Sequence, residues 1–405
     1  MRRARAVTAV AFLAAGWMVA VSQPAAAAET AVQEGSDPFI PGFRHFTVIA
    51  PSFDAPVGPG QGRPLGALTV FGYFPDLLEG RLKLQGEWSD SFVDLNLSTP
   101  GADAPARLGA RDLLEVGAGF SGELLSAEST LYAYHLGRRL RPFEFFTSTY
   151  AGKAFARVAP TATEDAKLTY QYRVYEFGHR EGRALFVPAD LVAHIVRLDL
   201  NSVRKRLTVP EAEELDGREY NLFVEGHVRE RVERDGSGLG LAAARSQSLL
   251  RVGASLQNFF TLDGAQRHRL TLGLRTGAGG RQDYLSLFRL GSFQDGNGNA
   301  ALPGYFFSEV RAEWYTLADA SYTYRQSPWW KVQVEAHYGA ARQFELPTAS
   351  LRTRQFLSIA AGLEVKIFRV PLNVQYGYAP LVPRGTLRST PHGGHEILVG
   401  TFLVF

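Results

Sequence analysis

HEILVGTFLVF, residues His395 to Phe405, is an alternating segment that places Ile397, Val399, Thr401, Leu403 and Phe405 on one face of a strand. Two kinds of structure accept that pattern. A soluble antiparallel sandwich turns the apolar face inward, whereas a transmembrane β-barrel turns it toward lipid and aims the polar face into its lumen. The period is the same in both, so the decision rests on the rest of the chain.

At the opposite end, Arg2, Arg3 and Arg5 precede an apolar stretch from Ala6 to Val21, and Ala26-Ala27-Ala28 stands before Glu29. Charge, apolar run and small residues in that order make a secretory signal peptide, so residues 1–28 are expected to be one, with the exported chain starting at Glu29. The Arg2-Arg3 pair also suggests twin-arginine export, but the following residues do not continue that pattern. With no cysteine there is no lipoprotein anchor and no disulfide, a composition compatible with an oxidising compartment. Past the signal no run of roughly eighteen apolar residues occurs, which excludes a helical span on length. The chain is rich in Gly (41), Phe (27) and Tyr (16) and has only two Met, with no sustained helical period, which favours a barrel. Lys and Arg number 43 against 40 Asp and Glu; the signs are mixed, and the net charge of +3 indicates no nucleic-acid partner.

Period-2 alternation recurs along the chain. Leu250, Val252, Ala254 and Leu256 alternate with Arg251, Gly253, Ser255 and Gln257; Leu270, Leu272 and Leu274 with Arg269, Thr271, Gly273 and Arg275; Val332, Val334, Ala336 and Tyr338 with Lys331, Gln333, Glu335, His337 and Gly339. Sixteen strands are expected, near 43–52, 66–74, 81–97, 111–120, 123–136, 143–156, 165–178, 191–206, 218–231, 246–258, 267–277, 307–325, 329–340, 354–366, 370–379 and 395–405. Connections are short at 121–122, 326–328 and 367–369 and longer at 98–110, 179–190, 232–245, 278–306 and 380–394. Short periplasmic turns alternating with long extracellular loops, and an even strand number, are the barrel arrangement. The turn at 207–217 is longer than that rule wants. Phe143, Phe145 and Phe146, Phe259 and Phe260, Phe306 and Phe307, Trp329 and Trp330, and Tyr376 and Tyr378 cluster at strand ends, as interfacial girdles do.

From about Arg281 to Phe405 the order of features resembles the C-terminal barrel half of the surface-antigen superfamily, which includes BamA-type assembly proteins, two-partner secretion transporters and patatin-linked barrels. The connection 278–306 matches that family's sixth extracellular loop, and Leu302-Pro303-Gly304-Tyr305 sits where the family carries Arg-Gly-Phe/Tyr. Two hairpins follow, and in the second, Pro371 leads into the Tyr-rich VPLNVQYGY. The C-terminal pattern of outer-membrane barrels, a Gly followed three and five positions on by bulky apolar residues and read by the assembly machinery, is matched by Gly400, Leu403 and Phe405, while Leu398 replaces its usual polar residue. Departures are plain as well. The family's loop Arg meets an acidic residue of a neighbouring Asp-x-Gly; here the positions read Pro303 and His337-Tyr338-Gly339, so both partners are absent together, as the cost of one unpaired buried charge requires. Only residues 29–42 separate the expected cleavage site from the first strand, too few for the family's periplasmic POTRA modules. A member lacking them is expected.

The lumen face of these strands carries Arg173, Arg197, Asp199, Glu225, Arg229, Arg231, Arg251, Arg269, Arg275, Glu309, Arg311, Glu313, Lys331 and Glu335. Opposite charges across a narrow lumen pair with one another, and the loop at 278–306 is the candidate plug, its Leu302, Pro303, Gly304 and Tyr305 folding toward Glu335, His337 and Gly339. A surface loop with a chance Pro-Gly turn is the alternative. The nine His are scattered; His392 and His395 alone are close, with only Glu396 beside them, which is a poor metal set. No Gly-x-Ser-x-Gly, phosphate-binding glycine loop or His-Glu-x-x-His is present, and no Ser stands at the offset from His337 that a barrel phospholipase needs.

The expected architecture is therefore all-β: a transmembrane antiparallel β-barrel of about sixteen strands over residues 43–405, after a signal peptide and a short periplasmic segment, 29–42. No catalytic, metal or cofactor site is expected. The resemblance implies a role in inserting or moving protein or lipid at the bacterial outer membrane. Outer-membrane lipid, the barrel-assembly machinery during biogenesis and a periplasmic partner protein are the implied associates. A diffusion channel and a structural or adhesive barrel remain open as alternatives.

Overall fold

The computed structural model describes residues 46–57, 65–88, 92–99, 114–123, 130–131, 134–135, 138–139, 145–161, 163–178, 190–207, 215–230, 247–265, 267–291, 299–306, 309–327, 329–345, 350–367, 370–384, 392–401 and 403–404. The expected signal peptide, the segment 29–42, Arg231 and Phe405 lie outside these residues. Sixteen strands close into one antiparallel barrel. They are β1 (Phe46–Val57), β2 (Leu65–Asp76), β3 (Leu82–Trp88), β4 (Phe92–Ser98), β5 (Leu114–Glu123), β6 (Phe145–Thr161), β7 (Glu164–Gly178), β8 (Leu191–Leu207), β9 (Leu215–Arg229), β10 (Ser248–Thr261), β11 (His268–Gly280), β12 (Val310–Ser327), β13 (Trp330–Glu345), β14 (Ser350–Ile367), β15 (Val370–Arg384) and β16 (His392–Thr401). Each pairs with the next. Closure comes from β1 against β16, from Ser52↔Gly400 to Val57↔His395, and Leu403–Val404 continues the seam against Ile49 and Val48.

Burial runs opposite to that of a soluble protein. Leu272 and Leu274 on β11, Val334 on β13 and Ile359 and Leu363 on β14 are exposed on the outer face, while Glu225, His227 and His337 are buried inside. On β14 the outward residues are apolar from Leu357 to Ile367, a span of about 25 Å once a strand tilt of roughly 40° is allowed for, which matches the apolar band of a membrane barrel. No helix among the described residues is long and apolar enough to cross a membrane.

The strand count agrees with the expectation, but two assignments behind it do not. Residues 81–97 form the hairpin β3–β4 rather than one strand, because three residues after Trp88 suffice to reverse an antiparallel pair. Among the described residues of 123–136 no barrel strand runs: β5 passes through the expected turn at 121–122 to Glu123 and pairs with β6, Thr130–Leu131 joins the sheet beside Phe145 and Phe146, and Tyr134–His135 pairs with Arg138–Arg139 in a separate sheet. The two errors cancel in number. They also move the connection 98–110 to the barrel end that carries the short turns. Phe306 departs from the girdle reading too, being 6% exposed inside the barrel.

Candidate functional site: a loop tied across the lumen

The connection between β11 and β12 folds back into the barrel and is held at three levels. At the first, the Arg229 guanidinium at the end of β9 forks onto the Asp283 carboxylate, with Nη2 at 3.1 Å from Oδ1 and both residues buried. The Ser286 hydroxyl donates to Asp283 at 2.8 Å, and Arg311, 3% exposed, lies 4.4 Å over the Tyr284 ring. At the second, Phe288–Leu290 adds an antiparallel strand to Val310–Ala312, and Asn299–Ala300 runs parallel beside it. Phe288 is then packed edge-on to Tyr315 and capped by Arg251, 4.4 Å from its ring.

The third level is Leu302–Tyr305. The Ser358 hydroxyl on β14 donates to the Pro303 carbonyl, the Gly304 N–H donates to the Glu396 carboxylate on β16 at 2.9 Å, and Tyr305 stands edge-on to Phe356, centroids 5.7 Å apart. Gly304 has φ +87°, and a Cβ there would lie 2.7 Å from the Ala379 backbone nitrogen and 2.9 Å from the Gly394 carbonyl. Gly377 on β15 meets the same segment: its Cβ would lie 2.6 Å from that of Pro303. Only glycine fits such a positive φ at this approach of backbones. The loop thus crosses the lumen from β9 to β14–β16, and the buried hydrophobic cluster of the molecule, with Leu290, Leu302, Val310 and Phe356 among its members, is built around it.

The LPGY segment therefore lies in the lumen. Glu335, His337 and Gly339 face the lumen on β13, with His337 Nε2 3.2 Å from Glu335, and they stand beside the loop through β14: Ser358 is the cross-strand neighbour of His337 and Phe356 that of Gly339. Tyr305 meets Phe356, while Ser358 donates to Pro303 and Glu396 accepts from Gly304. Gly400 and Leu403 lie on the seam against Ser52 and Ile49. Sequence reading missed Asp283, Ser358 and Glu396. Glu396 alone had a signal, as the one carboxylate of the closing strand. Ser358, the buried cross-strand neighbour of His337, donates its hydroxyl to the Pro303 carbonyl.

Between this loop and strands β4–β12 lies a cavity of about 710 Å³. Its described lining holds eight cations, Lys153, Lys167, Arg173, Arg197, Arg229, Arg251, Arg275 and Arg289, against the four carboxylates of Asp94, Asp199, Glu219 and Glu225. Most charges are cross-paired. Glu225 accepts from His227 (2.7 Å), Arg251 (3.0 Å) and Arg197 (3.3 Å), Arg197 also forks onto Asp199, and Lys153 pairs with Asp94 at 2.5 Å. Opposed charges on neighbouring strands hold the wall, and of the surplus cations Arg229 and Arg275 find carboxylates outside the lining, at Asp283 and Asp319. Among the described residues no cluster suits a metal ion.

No protein-family model matches the chain, and no curated protein matches its sequence. Solved structures do match. BamA from Haemophilus ducreyi lacking POTRA domains 1-3 superposes with a TM-score of 0.54 at 12% identity over 88% of this chain and 70% of that one. CdiB from Acinetobacter baumannii (0.54, 9% identity, 90% of this chain) and CdiB from Escherichia coli (0.54, 12%, 90%) are similar, and this chain spans 60% and 64% of their lengths. The fold is that of these barrels.

Proposed function

We propose that this protein is an outer-membrane barrel of the assembly and translocation kind, which inserts or moves protein or lipid at that membrane and works with a periplasmic protein. The loop tied across the lumen carries the reading. A diffusion channel needs an open axial path, whereas here a segment anchored to β9, β12, β14 and β16 occupies it, as the resemblance to assembly barrels implies. The apolar outer band supports residence among outer-membrane lipids, and the fold shared with BamA and CdiB supports the same class. No catalytic role is assigned to His337 or Ser358.

Deleting the gene and quantifying the outer-membrane proteins, secreted proteins and lipids tests the reading. The expected result is a several-fold loss of a defined subset of exported proteins or of a lipid class, with a periplasmic protein recovered on crosslinking to the chain. An unchanged profile together with slower uptake of small hydrophilic solutes would overturn it in favour of a channel.

A further inference from the structure

Three times on the outer face a histidine meets a Tyr-x-Tyr pair of the neighbouring strand. His194 on β8 has its Nδ1 2.8 Å from the Tyr170 hydroxyl and its ring edge-on to Tyr172. His268 on β11 has Nδ1 2.5 Å from Tyr322 and its ring 5.0 Å from that of Tyr324. His395 on β16 has Nδ1 2.5 Å from Tyr376 and its ring 4.9 Å from that of Tyr378. In each case the histidine stands directly across from the second tyrosine, near the end of its own strand, and bonds the tyrosine on the side toward the middle of the apolar band. Residues 194 and 395 stand at the long-connection end of the barrel and residue 268 at the short-turn end.

We propose that His268 and His395 are binding sites for the phosphate of a lipid headgroup, one at each border of the apolar band. A phenol is the better donor and the imidazole nitrogen the better acceptor, so the tyrosine hydroxyl donates to Nδ1 and fixes the tautomer with its proton on Nε2. That N–H sits where hydrocarbon gives way to headgroups, and without an acceptor it costs free energy. His194 answers this within the protein, its Nε2 lying 3.5 Å from the Glu230 carboxylate just beyond the band. For His268 and His395 no protein acceptor at Nε2 occurs among the described residues, and a phosphate oxygen is the strongest acceptor a bilayer offers at that depth. The exposed faces of Tyr322 and Tyr376 leave the approach open.

The test is solid-state NMR of the ¹⁵N-histidine-labelled full chain in vesicles of phosphatidylethanolamine and phosphatidylglycerol, in phosphate-free buffer, reading dephasing of Nε2 by lipid ³¹P. Dephasing is expected in the native protein and lost in His268→Leu/His395→Leu, with folding checked by heat-modifiable gel mobility. Tyr322→Phe and Tyr376→Phe keep the imidazoles, and each is expected to raise the Nδ1-protonated population of its histidine. Absence of dephasing in the native protein overturns the proposal, as does its full retention in the double variant. Dephasing that appears only when inorganic phosphate is added assigns the sites to a free anion and overturns the lipid assignment.

Discussion

At Gly304 a side chain would have to enter the backbone of β15 and β16 while holding φ at +87°. Gly304→Ala is therefore expected to unseat the loop tip at a cost of about 1–3 kcal/mol, read by urea unfolding in lipid vesicles and by new protease cleavage within 281–309. Asp283 poses a different problem: its charge and that of Arg229 are both removed from water, and each is the ion-pair partner of the other. Asp283→Asn should cost on the order of 3–5 kcal/mol, and Arg229→Met combined with Asp283→Leu should recover most of it. A double variant no more stable than the single one would show that the pair does not act as a unit.

Along a strand, alternation decides which residue meets lipid, and a slip by one would invert every side chain. Val334 lies on the outer face at 46% exposure while Glu335 faces the lumen. Val334→Arg near the midplane is expected to cost about 2–4 kcal/mol, and a lipid-soluble thiol probe should label Val334→Cys but not Glu335→Cys. The closing strand carries a further expectation, that removing Phe405 lowers outer-membrane levels in cells far more than it hampers refolding into detergent. Burying a phenylalanine side chain is worth only about 1.5–3 kcal/mol, whereas recognition by the insertion machinery would depend on it outright. Equal losses in both measurements would assign the residue to stability alone.

For the whole molecule, the tied loop makes conductance the informative property. In planar bilayers the native barrel should show small, infrequent openings, and deleting residues 283–305 should raise conductance several-fold, because three levels of contact to β9, β12 and β14–β16 are lost together. A native barrel that already conducts as the deletion does would place the loop outside the permeation path.

The alternation in segments such as Leu270–Arg275 and Val332–Gly339 was enough to determine strands and the two sets of side chains that share a face, because the two-residue period of a strand is a local property that every residue reports, whereas barrel over sandwich rested on the N-terminal segment and the alternating connection lengths. Boundaries were legible only where turn chemistry is distinct, as at 326–328 and 367–369. They failed at 81–97, where a reversal within a continuous alternating run leaves the period intact, and at 123–136, where among the described residues β5 ends at Glu123 and only Thr130–Leu131 joins the barrel sheet. The position of LPGY in a long connection was visible as well. That this connection is fastened inside the lumen was decided by tertiary structure alone, since Arg229 with Asp283, Pro303 with Ser358 and Gly304 with Glu396 lie 54, 55 and 92 residues apart. The same holds for the Tyr–His pairs of the outer face. Register across a closed sheet brings such residues together, and a single strand's sequence carries no record of which neighbour closure will supply.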